Sequence, residues 1–265
     1  MNESTPTETP PDDDQALPLL APCRDLSPTA PWGWLRRGWA DLKAAPAVSL
    51  SWGLIMVLIS YLISLATWRW GNLGLYLGLV SGFVFVGPWL ALTLYSVSLR
   101  LERGQPVSLL RCVSDAARAV GNALVFAVIL TVVFLVWARA ATMVHVFFPV
   151  VGEPGWREML PFLAVGSAVG ALFCAIIFAA SAFSLPMLID RKTDTVTAVV
   201  TSIHAVLRNK STMLVWALII GGCVVLGILT AWLAFAVVLP LLGHATWHAY
   251  RETIRPGQWS ALELD

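Results

Sequence analysis

The chain reads as an all-α integral membrane protein: six transmembrane helices in three repeated units, each a surface amphipathic helix followed by a helical hairpin. Three observations carry this reading. The composition is 58% hydrophobic and only 12% charged, whereas soluble domains carry roughly 25% charged residues. Apolar runs of about 20 residues recur, each long enough to cross a hydrocarbon core roughly 30 Å thick. The same order also recurs: an amphipathic segment, an apolar span, a short turn, a second span and a charged edge. It is plainest from Phe178 to Trp216, where one span ends at Pro186 and Ile189. Asp190, Arg191 and Lys192 form the edge, and a segment with a valine stripe leads to Arg208, Lys210 and the next span.

Residues 1 to about 30 are rich in Pro, Thr and acids, and predict a disordered cytoplasmic tail without the basic start and apolar core of a signal peptide. Trp32, Leu35, Trp39 and Leu42 then fall on one helical stripe, as in a helix lying in the headgroup layer. Pro46 turns the chain into a first span at about 48–67, closed by the aromatic belt Trp68-Arg69-Trp70. The second span, about 73–99, carries Gly74, Gly78 and Gly82 on one face, with Pro88 as a kink.

A second surface helix follows over Gln105–Val120. Its stripe is Leu110, Val113, Ala117 and Val120, with Arg111, Asp115 and Arg118 turned away from it. Span three covers about 123–148 and span four about 162–189, with Gly166 and Gly170 as a further small-residue pair. The third surface helix carries Val196, Val199, Val200, Ile203, Val206 and Leu207 at helical spacing, capped by Asp194 or Thr195. Met213–Tyr250 is too long for one crossing. It splits at Thr230–Trp232 into spans at about 213–230 and 232–250, before a short tail at 253–265. Within the repeat, Val107-Ser108 matches Val196-Thr197, and Pro88, Pro186 and Pro240 fall in the second span of each unit.

With six crossings, all of the 17 Lys and Arg residues except Arg69, Arg139 and Arg157 fall on one side. The positive-inside rule then places both termini in the cytoplasm. The net charge of +1 gives no reason to expect a nucleic-acid partner. The expected partners are the bilayer and its anionic headgroups, with a homo-oligomer possible through the glycine faces. Cys23, Cys112, Cys174 and Cys223 show neither disulfide nor zinc-site spacing.

Few residues suggest chemistry. His244, His248 and Glu252 share one helix face at four-residue steps, a pattern that can hold a metal or haem. The alternative is a histidine face bonded to neighbouring helices, with His204, Asp190, Glu102 and Asp41 at the same membrane face. Arg139, Thr142 and His145 form a polar stripe near the far end of span three, where an arginine can snorkel to the interface or line a solute path. Asp190 and Arg191 lie where span four meets the basic side, placed to pair with neighbouring surface helices. No hydrolase, nucleotide-binding or metalloprotease motif is present, and no acidic residue lies deep in a span.

The segments SGFVFVGPWLALTLYSVSLRLERGQPVS, FSLPMLIDRKTDTVTAVVTSIHAVLRN and LPLLGHATWHAYR, in this order, resemble a bacterial integral-membrane family catalogued as domain of unknown function 2189. The resemblance runs from about Trp32 to Arg251 and implies a protein of the bacterial inner membrane. It implies no activity, cofactor or catalytic residue. Three functions are therefore expected to compete: a non-enzymatic protein organising or regulating membrane partners, a small-solute permease or channel, and a metal- or haem-binding protein.

Overall fold

The computed structural model describes residues 18–71, 90–147 and 155–264, and among these residues the regular structure is helical. Helix α1 spans Ala30–Ala44, α2 Pro46–Trp70 and α3 residues 90–102. They are followed by α4 (Leu109–Arg118), α5 (Val120–Phe147), α6 (Trp156–Ser181), α7 (Ser184–Asp190), α8 (Thr195–Arg208), α9 (Lys210–Leu229) and α10 (Phe235–Thr253). The expected glycine face Gly74, Gly78 and Gly82, and Pro88, lie outside the described residues.

Four helical stretches among the described residues are long and apolar enough to cross a membrane: Pro46–Trp70, Val120–Val144, Met159–Asp190 and Lys210–Leu229. The sixth expected span, 232–250, forms helix α10 but is not one of the four. Its second half carries His244, Thr246, His248 and Arg251, and α1 and α2 cover its length. The turn before it falls where the run was expected to split. Ala231 and Trp232 have positive φ, 47° and 73°. Trp232 N–H donates to Gly227 O (2.7 Å) and Ala231 N–H to Ile228 O (3.0 Å). This is a Schellman closure made without glycine at its left-handed position, a placement that costs about 1 kcal/mol.

Single residues join each short helix to the long one after it: Ala45 between α1 and α2, Ala119 between α4 and α5, and Asn209 between α8 and α9. Pro46 opens α2. Ser108 caps α4 by accepting from Arg111 N–H, and Asp194 caps α8 by accepting from Thr197 N–H. Aligned by their caps, Ser108 therefore corresponds to Asp194 and not to Thr197. The fourth expected span breaks at Ala182–Phe183. Pro186 has no N–H for the Ala182 carbonyl. Ser202 of α8 inserts beside the break, donating to Ala179 O (2.7 Å) and accepting from Phe183 N–H (3.1 Å). A proline and an inserted side chain together account for the bend.

The short helices turn mainly small and polar residues inward and leave much of their apolar stripes outward. In α4 the inward residues are Cys112, Asp115 and Ala116, while Leu110 is 83% exposed. In α8 the buried residues are Thr195, Thr197, Ala198, Thr201, Ser202, Ala205 and Val206, while Val196, Val200 and Leu207 point outward. In α1 the packed face is Trp34, Gly38 and Leu42, and Trp32 and Trp39 are exposed. Where lipid surrounds a helix, burying valine or leucine gains little. Close approach and hydrogen bonding favour small and polar residues at the helix contacts.

Glycines make the closest crossings. A Cβ on Gly53 would lie 1.8 Å from Ala236 O on α10, and one on Gly38 2.7 Å from Ala245 N. A Cβ on Gly166 or Gly170 of α6 would meet nothing within 4 Å among the described residues.

The described segments before α1 and after α10 are docked, and residues 1–17 of the expected tail lie outside the described residues. Residues 18–29, read from composition as tail, lie against α8 and the end of α10: Arg24 N–H donates to Thr253 O (2.8 Å) and Arg255 N–H to Pro22 O (2.9 Å). Ala21 N–H donates to Thr201 Oγ1 (3.1 Å). After α10, Trp259 is buried, Lys192 N–H donates to Ser260 O (2.9 Å) and Leu262 N–H donates to Asp190 O (2.9 Å).

Candidate functional site

The polar side chains collect at one end of the bundle, where the N-terminal segment, α1, the ends of α3 and α7, the start of α8 and the last turns of α10 meet. Helix α10 is the common wall. Because α1 and α2 run along it, residues four apart on α10 meet successive partners.

The three candidate ligands share a face as expected, but each has its own protein partner. His244 is fully buried. Its Nε2 is 2.9 Å from Ser49 Oγ on α2 and its Nδ1 is 2.8 Å from Ser98 Oγ on α3. His248 Nε2 lies 2.8 Å from Asp41 Oδ2 on α1. Glu252 Oε2 accepts from Trp34 Nε1 (3.3 Å) and pairs with Arg37. The face thus pins α10 to three other helices. Among the described residues, no group of three or more His, Cys, Asp or Glu side chains is placed to hold a metal ion.

Asp190 is the hub of a second cluster. Its buried carboxylate accepts from Tyr250 Oη (2.8 Å), Arg191 Nε (2.9 Å) and Arg103 Nη2 (3.4 Å), with Arg251 Nη1 at 3.5 Å. Arg251 also forms a fork on Glu102 Oε1, from Nε at 3.0 Å and Nη2 at 2.7 Å, and Trp247 Nε1 donates to Glu102 Oε2 (2.9 Å). Arg191 and Arg103 reach the C-terminal segment through the carbonyls of Trp259 (3.1 Å) and Leu262 (3.2 Å). Two carboxylates and three guanidiniums therefore tie α3, α7, α10 and the C-terminal segment together. The expected pairing of Asp190 with its surroundings is present, though its partners come from α10 and the loops rather than from the surface helices.

A third cluster was hidden in the sequence. Arg100 and Asp115 are both fully buried and form a two-point pair, Nε–Oδ2 2.6 Å and Nη2–Oδ1 2.8 Å, with Ser96 Oγ also donating to the carboxylate. Asn209 was likewise unremarked. Its Oδ1 accepts from Leu26 N–H (2.8 Å), and its Nδ2 donates to Arg24 O (3.0 Å) and Ala205 O (3.1 Å). Its position between two cations, at the junction of two helices, was the available signal.

Several charges here are tuned by their partners. The hydrogen bond from Arg208 holds the exposed Asp25 carboxyl below its ordinary range. Lys192 does the same for Glu263. At Asp194, burial raises the carboxyl, but hydrogen bonds from Thr197 and from backbone N–H groups outweigh it and the net shift is downward.

The remaining candidates are apart from these clusters. Arg139 and Thr142 are exposed on α5, and Thr142 Oγ1 donates to its own helix at Ala138 O (2.8 Å). The side chain of His145 lies outside the described residues.

Residues 75–190 match a family model described as "predicted integral membrane protein (DUF2189)", an uncharacterised family. The match ends at Asp190, so the histidine face of α10 lies beyond it. No curated protein and no solved structure matches the chain.

Proposed function

We infer that this integral membrane protein, similar over residues 75–190 to that uncharacterised family, is a non-enzymatic organiser or regulator of membrane partners. One observation carries the reading: the side chains best suited to chemistry, His244, His248, Glu252, Asp190 and Glu102, hold helices and chain ends together at one basic end. They support a fixed platform more than a reaction centre.

The same contacts support six crossings in three units. Groups in direct hydrogen bond lie on the same side of a bilayer. Arg24 bonds to Thr253, Arg103 to Leu262, Asn122 to Thr193 and Asn209 to Arg24. The chain therefore returns to the basic end after each outward excursion: between 24 and 103, between 122 and 193, and between 209 and 253. Three hairpins satisfy this, with α10 as the return leg of the last. The repeated one-residue joint after α1, α4 and α8 supports the unit structure. The basic end would face the cytoplasm of a bacterial inner membrane, with both termini there.

Two measurements test the reading. Cysteines introduced at Ser27 and Ser260 should label only from the cytoplasm and one at Gly155 only from outside; Ser27 and Ser260 labelling from opposite sides would refute the six-span topology. Proteoliposomes should swell in small solutes no faster than protein-free vesicles. Faster, protein-dependent swelling would replace the organiser with a permease.

A further inference from the structure

Helices α6 and α9 stand apart. α6 packs chiefly on α5 and α8, and its most apolar window has none of its residues buried. Between the two helices lies a groove of about 610 Å³. Small residues open the groove at Ala171 and Ala175 on its α6 wall and at Ala217 and Gly221 on its α9 wall. The larger Phe178, Met213, Leu214 and Ile220 also line the groove and make its lining apolar. The groove runs along α9 from Lys210 to Gly221, about 16 Å at 1.5 Å per residue. That is about half of a hydrocarbon core roughly 30 Å thick, the depth of one leaflet. Lys210 is the charged residue of the lining, stands at the basic end, and has no ion pair among the described residues. The nearby Arg208 is already engaged by Asp25.

We propose that the α6–α9 groove binds one acyl chain of an anionic phospholipid from the leaflet at the basic end, with the headgroup phosphate on Lys210. An apolar trough left empty would forfeit the dispersion contacts of its lining. A hydrocarbon chain of leaflet length restores them, and the cation at the mouth selects the headgroup charge. The proposal rests on α6 and α9 crossing the bilayer and is independent of the organiser role.

The test uses the full chain, delipidated in detergent and titrated with phosphatidylglycerol or phosphatidylcholine, with bound lipid counted by native mass spectrometry. The wild type should retain one phosphatidylglycerol per chain in preference to phosphatidylcholine. Lys210→Glu should lower phosphatidylglycerol retention about fivefold and leave phosphatidylcholine unchanged. Ala217→Phe and, separately, Ala175→Phe fill the groove and should abolish retention of both lipids. Leu218→Phe, on the exposed face of α9, should change nothing. Equal retention in wild type and both groove-filling variants, or equal loss in Leu218→Phe, would overturn the site. So would a Cys174–Cys174 disulfide between two copies forming readily in native membranes, because a second chain would then occupy the groove.

Discussion

Arg100 and Asp115 face each other across the α3–α4 contact as a fully buried two-point ion pair, on the face of α4 opposite its leucines. Removing one partner strands the other charge away from water. Asp115→Ala should therefore destabilise the protein by about 3–5 kcal/mol. Leu110→Asn, on the outward face, should shift stability by no more than about 0.5 kcal/mol in detergent. Thermal unfolding of the two variants checks this; a larger loss for Leu110→Asn would mean that α4 packs with its apolar stripe inward.

His244 bridges two serine hydroxyls from different helices. His244→Ala would leave Ser49 and Ser98 without that partner in a buried site, at a cost of about 1–3 kcal/mol. It should change unfolding and leave the metal content and visible spectrum of the purified protein as in the wild type. Loss of a metal or of a haem band in this variant would restore the ligand reading of His244, His248 and Glu252.

Glycines divide by what a methyl group would meet. Gly53→Ala drives a carbon into the Ala236 carbonyl and should cost about 1–3 kcal/mol through forced separation of α2 and α10. Gly166→Ala and Gly170→Ala meet nothing within 4 Å among the described residues, and alanine stiffens the helix. These should be neutral or stabilising by up to about 1 kcal/mol. Loss of stability in the α6 variants, measured in detergent and again in bilayers, would reveal a helix packed on that face.

Acid should loosen both chain ends. Asp25 and Glu263 have carboxyls held below their ordinary range by Arg208 and Lys192. A depressed carboxyl contributes its stability above the unfolded-state value and loses it as pH falls through the lower, folded-state value. The docking of residues 18–29 and 254–264 should therefore be intact at neutral pH and weaken below the usual carboxylate range. Hydrogen exchange at Arg24 and Lys192 N–H across that range measures it. Asp25→Asn should remove the pH dependence at the N-terminal segment alone.

Much was legible in the sequence because it follows from composition and local geometry. Runs of apolar residues locate α2, α5, α6 and α9. Aspartate marks the start of α8, whereas α4 starts at Leu109 under the Ser108 cap and not at Gln105, and the length of Met213–Tyr250 demanded the turn found at Ala231 and Trp232. The i, i+4 rule put His244, His248 and Glu252 on one face. Orientation was a different matter. Helical periodicity shows that a short helix has two faces, but which face turns inward depends on what lies outside. With lipid as the surroundings, Val196 and Val200 of α8 need no burial, and its Thr, Ser and Ala residues make most of the contacts, with Val206 beside them.

Sequence alone thus determined a helical membrane protein, with the positions of four long apolar helices and of its charged edges. Only the tertiary structure decided which charges meet. The pairs Arg100–Asp115, Arg251–Glu102, Asp190–Tyr250 and Asn209–Arg24 join residues that are separated along the chain and lie on different helices or loops. Their partnership follows from hydrogen-bond satisfaction in a crowded, poorly hydrated space. The docking of both chain ends is decided there too, because a polar segment that composition reads as solvated becomes ordered once helix ends supply donors and acceptors for its backbone.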